Sequence, residues 1–113
     1  MKKVEAIIRP SKLKDVQRGL KDADIPCITV VPVKGIGLQK SYSERYRGTE
    51  QSMILQSRVM IICVISDKHL EKCIKVIKDN ASENQVGDGK IFIYHVEDAI
   101  RLSTGVQGVD AII

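Results

Sequence analysis

Residues 59–65 read Val-Met-Ile-Ile-Cys-Val-Ile. Seven consecutive apolar residues, mostly β-branched, are too few to cross a bilayer and too stiff at χ1 to favour a helix. The run reads as a strand that is apolar on both faces and therefore central in a sheet. Three further strands are needed to surround it, and the chain supplies them. Val4–Ile8 is a short apolar run stopped by Arg9-Pro10, and proline disfavours helix at the residue before it. Ile28–Val33 is β-branched and apolar, and Ile91–Val96 is similar. Between the strands lie two helical patterns. Leu13, Val16, Leu20 and Ala23 recur at spacings of three and four, with Lys12, Lys14, Asp15, Gln17, Arg18 and Lys21 on the other side, and Ser11 is the expected cap. Leu70, Cys73, Ile74, Ile77 and Ala81 repeat the pattern, with Ser66 or Asp67 as the expected cap.

The order is β-α-β-β-α-β, an α+β ferredoxin-like sandwich with both helices on one face of a four-stranded sheet. At 113 residues, 43% of them hydrophobic and 28% charged, the chain is expected to be one domain over residues 1–113. One face of the sheet then has no helix. The central strand is apolar on that side too, so association with further copies is expected to cover it. The first ten residues begin like a secretory leader, but Glu5 and Arg9 interrupt the apolar stretch and no small-residue cleavage site follows. A soluble, cytoplasmic protein is expected.

The connection between the second and third strands, from about Lys34 to Ser57, is far longer than the ~2–5 residues of ordinary hairpin loops. Its middle, about residues 37–55, is polar and aperiodic, and a loop of that length in a small domain is expected to carry function. A second feature is Val86-Gly87-Asp88-Gly89-Lys90-Ile91-Phe92. Two glycines allow close backbone approach to a ligand, and a lysine at the mouth of a strand adds positive charge, a combination suited to a polyphosphate. A plain Asp-Gly turn with a solvated lysine is the competing reading. The segment is not a Walker loop, since Asn84 stands where the first glycine belongs and Ile91 where Ser/Thr would hold magnesium. Gly35-Ile36-Gly37-Leu38-Gln39-Lys40 is not a dinucleotide fingerprint either, because Lys40 occupies the third glycine's place. Arg101, past the last strand, is a third cation for the same phosphates.

Other classes fit less well. A net charge of +4 permits phosphorylated ligands without demanding nucleic acid. One Phe, three Tyr and no Trp leave little for base stacking, and the first strand has no aromatic for an RNA-recognition module. Cys27, Cys63 and Cys73 lack Cys-x-x-Cys spacing and sit in apolar stretches, so buried reduced thiols are expected. His69 and His95 join no ligand spacing, and no metal site made of side chains is assigned. Gly105-Val106-Gln107-Gly108-Val109 copies part of an acylphosphatase phosphate loop, but it lies after the last strand and Ala111 and Ile112 stand where an aromatic–arginine pair should follow. The chain is expected not to be an enzyme.

Several separated motifs resemble the nitrogen-regulatory PII signal-transduction family. They are Met1–Pro10, Val33–Lys40 at the entry to the family's signalling loop, Tyr46-Arg47-Gly48-Thr49-Glu50 at its tip, Gly87–Phe92, and Ala99-Ile100-Arg101 with Thr104-Gly105. The resemblance implies a homotrimer that binds ATP or ADP between subunits, and 2-oxoglutarate beside a magnesium–ATP complex. It places Thr29, Gly35, Gly37, Leu38, Gln39, Val64, Gly87, Asp88, Gly89, Lys90, Arg101 and Ser103 at nucleotide-contact positions. Gln39, Lys40, Arg58 and Gly87 fall at the effector site, with Gln39 helping to hold magnesium. Tyr46, Arg47, Gly48, Thr49, Glu50 and Gln51 fall on the partner-binding loop. The implied partner is an ammonium transporter, so that a membrane is met only through it, or an enzyme of nitrogen metabolism such as glutamine synthetase or a nitrogenase component. Departures stand beside the matches. Gln51 replaces the tyrosine that many relatives uridylylate, Ser103 replaces a second phosphate-binding arginine, and Leu38 replaces a frequent arginine.

Overall fold

The computed structural model describes residues 1–36 and 55–113. The expected positions Gly37, Leu38, Gln39, Lys40, Tyr46, Arg47, Gly48, Thr49, Glu50 and Gln51 lie outside the described residues. The elements run β1 (Lys2–Ile8), α1 (Leu13–Asp22), β2 (Thr29–Gly35), β3 (Gln56–Ile65), α2 (Leu70–Ala81) and β4 (Gly89–His95). Single 3₁₀ turns precede both helices, and a longer one ends the chain at Gly108–Ile112. The sheet order is β2-β3-β1-β4, with every pairing antiparallel. This is the expected ferredoxin-like arrangement.

The long apolar strand β3 lies between β2 and β1, as its composition requires. Pro32, which cannot donate a ladder hydrogen bond, falls on β2, an edge strand where that loss is tolerated. The strands are longer than periodicity alone gives. β2 and β3 stay paired through Lys34↔Ser57 and Gly35↔Gln56, so polar residues at both ends of the long connection belong to the ladder.

The expected caps are not formed. The turn before α1 is Pro10–Lys12, with Pro10 at its first position and Arg9 preceding it in extended conformation. Ser11 is inside that turn and caps nothing, because proline's fixed φ starts the helix earlier. Ser66 precedes the turn before α2, but its hydroxyl meets His69 Nδ1 at 2.8 Å instead of a backbone N–H.

The core lies between the helices and one sheet face. Val4, Ala6, Ile8, Ile61, Cys63 and Ile65 come from the sheet, Val16 and Leu20 from α1, and Cys73, Ile77 and Ala81 from α2. The helices approach closely at Gly19, where a Cβ would lie 2.8 Å from Val76 Cγ1 and 2.7 Å from Asn80 Nδ2. Cys63 and Cys73 are buried as expected, whereas Cys27 is exposed. It lies between Ile25, which is in the core, and Ile28, which packs against it, but is itself exposed.

The register puts Val31, Met60, Ile62, Val64, Ile7 and Phe92 on the opposite face, which no helix covers among the described residues. Lys3, Glu5 and Tyr94 share it. Lys3 Nζ lies 2.9 Å from Glu5 Oε2 and 5.3 Å from the Tyr94 ring centre, and Tyr94 Oη donates to Glu5 Oε1 at 3.0 Å. The Lys3 hydrogen bond holds the Glu5 carboxyl below its ordinary range, and the Tyr94 hydroxyl adds to this against the effect of burial. Among the described residues no helix is long and apolar enough to cross a membrane.

Candidate functional site

The glycine-containing segment flagged by the sequence forms a tight loop, Ser82–Gly89, between α2 and β4. Its shape is set by one carboxylate. Asp88 Oδ2 accepts from the backbone N–H of Glu83 at 2.8 Å, the backbone N–H of Gln85 at 3.1 Å and the hydroxyl of Ser82 at 3.1 Å. Asp88 Oδ1 faces Arg9 Nη2 at 3.7 Å, an ion pair without a hydrogen bond. The Gln85 N–H holds the Asp88 carboxyl below its ordinary range, helped by Glu83, Ser82 and Arg9 and opposed by burial. Asp88 therefore organises the loop's interior. Oδ2 is fully engaged inside the loop, and Oδ1 is buried beside Arg9.

Backbone conformation explains the glycines. Gly87 and Gly89 have φ of 96° and 113°, where other residues are strained. At Gly89 there is also no room, since a Cβ would fall 1.7 Å from the Ile7 carbonyl oxygen. The loop therefore lies directly against the end of β1.

Two arginines hold the loop from outside. Arg9 donates from Nε to Gly87 O at 3.2 Å, from Nη2 to Val86 O at 3.2 Å and from Nη1 to Glu83 Oε2 at 2.9 Å. Arg58 donates from Nη2 to Gly87 O at 3.4 Å and to Gln56 Oε1 at 3.0 Å. Lys12 adds an ion pair to Glu83 at 3.0 Å. Sequence reasoning used Arg9 only as a strand stop, and nothing local reveals its partners more than seventy positions away. A cavity of about 780 Å³ opens here, lined by Arg9, Ser11, Gln56, Arg58, Gln85 and Val86. Lys90, the second residue of β4, pairs with Ile7 and is exposed, and its side chain makes no hydrogen bond or ion pair among the described residues.

The remaining expected positions fall elsewhere. Gly35 lies at the same sheet end as Arg58, through the Gly35↔Gln56 pair. Thr29 and Val64 do not. Thr29 is on β2 and Lys90 on β4, the two edges of the sheet, three strand spacings or roughly 14 Å apart. Val64 lines a separate cavity of about 600 Å³ with Cys27, Ser66, His69, Val109 and Ile113. Arg101, expected at a phosphate, donates from Nη2 to the carbonyl oxygens of Asp110 at 2.8 Å and Ile113 at 2.9 Å. Ser103 is exposed in the turn between Ile100 and Gln107, beside fully exposed Leu102.

One chain thus offers a cationic, glycine-shaped half-site at one end of the sheet and a second group of residues toward the other end. The donors suit an anion: guanidinium groups, a free ammonium and backbone opened by positive φ. In class, this is a small α+β domain of ferredoxin-like topology.

Comparison with known proteins agrees. Residues 1–106 match the family described as Nitrogen regulatory protein P-II. Proteins of that name from Haemophilus influenzae and Rhodospirillum rubrum are 45% and 46% identical over 112 residues, covering 99% of this chain and 100% of each relative. A crystal structure of Arabidopsis thaliana PII bound to citrate is similar with a TM-score of 0.80 and 31% identity, covering 98% of this chain and 88% of that one. The chain belongs to the nitrogen regulatory protein P-II family.

Proposed function

We propose that this protein is a non-enzymatic homotrimeric sensor that binds ATP or ADP in clefts between subunits and 2-oxoglutarate beside magnesium–ATP. It controls an ammonium transporter, or an enzyme of nitrogen assimilation, through the connection between β2 and β3. The observation that carries the reading is the division of the expected contact residues. Gly87–Lys90 and Arg58 stand at one end of the sheet, while Thr29 and Val64, the latter on the same strand as Arg58, stand toward the other end. A nucleotide that touches both groups needs them from two copies. The uncovered face of Val31, Met60, Ile62 and Phe92 supports such an assembly. Citrate on the Arabidopsis relative supports an anion site suited to carboxylates.

In this reading Lys90 and Arg58 neutralise phosphate or carboxylate charge, and Gly87 and Gly89 let the backbone come close. Magnesium enters with the nucleotide, with Gln39 as the expected side-chain contact. Arg101 must leave the terminal carbonyls before it can serve a phosphate. Ser103 and Leu38, in place of arginines, should weaken phosphate contacts and favour ADP relative to better-equipped relatives.

Calorimetry with ATP and ADP, each with magnesium and with or without 2-oxoglutarate, tests the ligands, and sedimentation tests the assembly. Saturable nucleotide binding to a trimer, tightened by 2-oxoglutarate, is expected. A stable monomer at micromolar concentration, or no nucleotide binding, overturns the reading. Robust turnover of an acyl phosphate would instead favour the acylphosphatase alternative.

A further inference from the structure

Cys63 and Cys73 come from different elements, the central strand and the second helix, yet their Sγ atoms lie 3.7 Å apart. Both side chains are in the core, 3% and 0% exposed. A disulfide needs the sulfurs at about 2.05 Å, so closure requires them to approach by roughly 1.6 Å, a movement within the reach of side-chain rotation and slight settling of the helix. We infer that Cys63 and Cys73 form a redox pair that a peroxide closes into an intramolecular disulfide joining β3 to α2. The pair plays no part in the nucleotide reading, and the inference does not rest on it.

The two thiols have distinct roles. Either thiol can donate the hydrogen bond between them, and burial opposes ionisation of both. Cys63 is the less buried of the two, 3% against 0% exposed, and is assigned as the attacking sulfur. Its thiolate takes one peroxide oxygen, the O–O bond breaks, and the leaving hydroxide collects a proton to become water. Cys63 is then a sulfenic acid. The Cys73 sulfur attacks it, the S–O bond breaks, and a second water leaves as the S–S bond forms. Two thiols and one peroxide give one disulfide and two waters, the sulfurs losing the two electrons that the peroxide gains. Burial limits entry to small oxidants and keeps the product away from bulky reductants.

The bridge would sit between two parts of the candidate site. β3 carries Arg58 near its start, and α2 runs directly into the Ser82–Gly89 loop. A covalent tie would restrict the motion of one against the other.

The test uses the full chain with Cys27→Ser, which leaves the pair as the only thiols. The folded protein is treated with hydrogen peroxide and examined by intact mass and non-reducing peptide mapping. Loss of two hydrogen atoms, a cross-linked peptide containing Cys63 and Cys73, and reversal by dithiothreitol are expected. In a Cys73→Ala variant, Cys63 should stop at a sulfenic acid that dimedone traps. The inference is overturned if the folded protein stays unreacted, if it gains oxygen at either sulfur without bridging, or if the bridge appears only in denaturant.

Discussion

Arg9 Nε donates to the carbonyl oxygen of Gly87 at 3.2 Å, although 78 positions separate the two residues. The same guanidinium reaches Val86 O and Glu83. The residue just before the 3₁₀ turn that leads into α1 thus clamps the loop that precedes the last strand. Arg9→Ala should lower unfolding free energy by about 1 to 3 kcal/mol, toward the lower end because the side chain is partly exposed. Arg9→Lys should rescue little, because an ammonium cannot serve three directions at once. Urea unfolding measures both, and a wild-type midpoint for Arg9→Ala would show that the loop holds itself.

The loop's other organiser should appear in the acid limb of stability. Asp88 and Glu5 keep their carboxyls below the ordinary range when folded. As pH falls, the unfolded chain therefore takes up protons first. The stability from these groups is fully present above the unfolded pKa of about 4 and is lost as pH falls through the lower folded values. Asp88→Asn should be less stable than wild type at neutral pH and lose less on acidification. Urea midpoints at neutral pH and at about pH 3 would reveal the difference. Parallel curves would contradict it.

Gly89 and Gly105 separate conformational strain from steric collision. Both have positive φ, but a Cβ on Gly105 meets nothing within 4 Å, whereas on Gly89 it meets the Ile7 carbonyl oxygen. Gly105→Ala should cost about 1–2 kcal/mol for the left-handed conformation alone. Gly89→Ala should cost more than about 3 kcal/mol, because β4 must shift away from β1. Equal losses in thermal unfolding would contradict the close approach.

Lys90 and Arg58 should differ as binding residues. Lys90 has no partner to lose, so Lys90→Ala should weaken ATP binding by at least roughly tenfold with the unfolding midpoint unchanged. Arg58 also supports Gly87, so Arg58→Ala should lower both affinity and stability. Calorimetry alongside urea unfolding tests the pair, and unchanged affinity in Lys90→Ala removes that residue from the site.

For the output loop the prediction rests on sequence. Arg47→Ala should abolish partner inhibition while nucleotide affinity stays intact, measured by transporter flux or partner pull-down. Inhibition at the wild-type level would move recognition to the loop's flanks.

The fold was readable because its periodicities are clean. The apolar run at residues 59–65 declares a central strand, and the spacing from Leu13 to Ala23 declares a helix. Strand ends were not readable at Lys34, Ser57 or Gln56, where backbone pairing extends through polar residues that carry no alternation. In the candidate site, positive φ at Gly87 and Gly89 agrees with what the glycine spacing announced. Asp88's inward role, Arg9's clamp and Arg101's attachment to the terminal carbonyls depend on contacts between distant segments or on tail geometry, which composition does not encode.

The place of β1 in the sheet also governs the order in which the fold can assemble. β1 is synthesised before the other strands of its sheet, yet both its neighbours, β3 and β4, come far later in the chain. At roughly 5–20 residues per second of synthesis, Val4, Ala6 and Ile8 wait seconds for β3 and longer for β4. No early hairpin can shelter them, since β2 pairs with β3 and not with β1. Long-range antiparallel pairing of this kind makes folding slow and leaves an apolar strand with two bare edges on the nascent chain. Until β3 arrives, β1 is therefore open to misassociation, and a chaperone would have an apolar strand to protect.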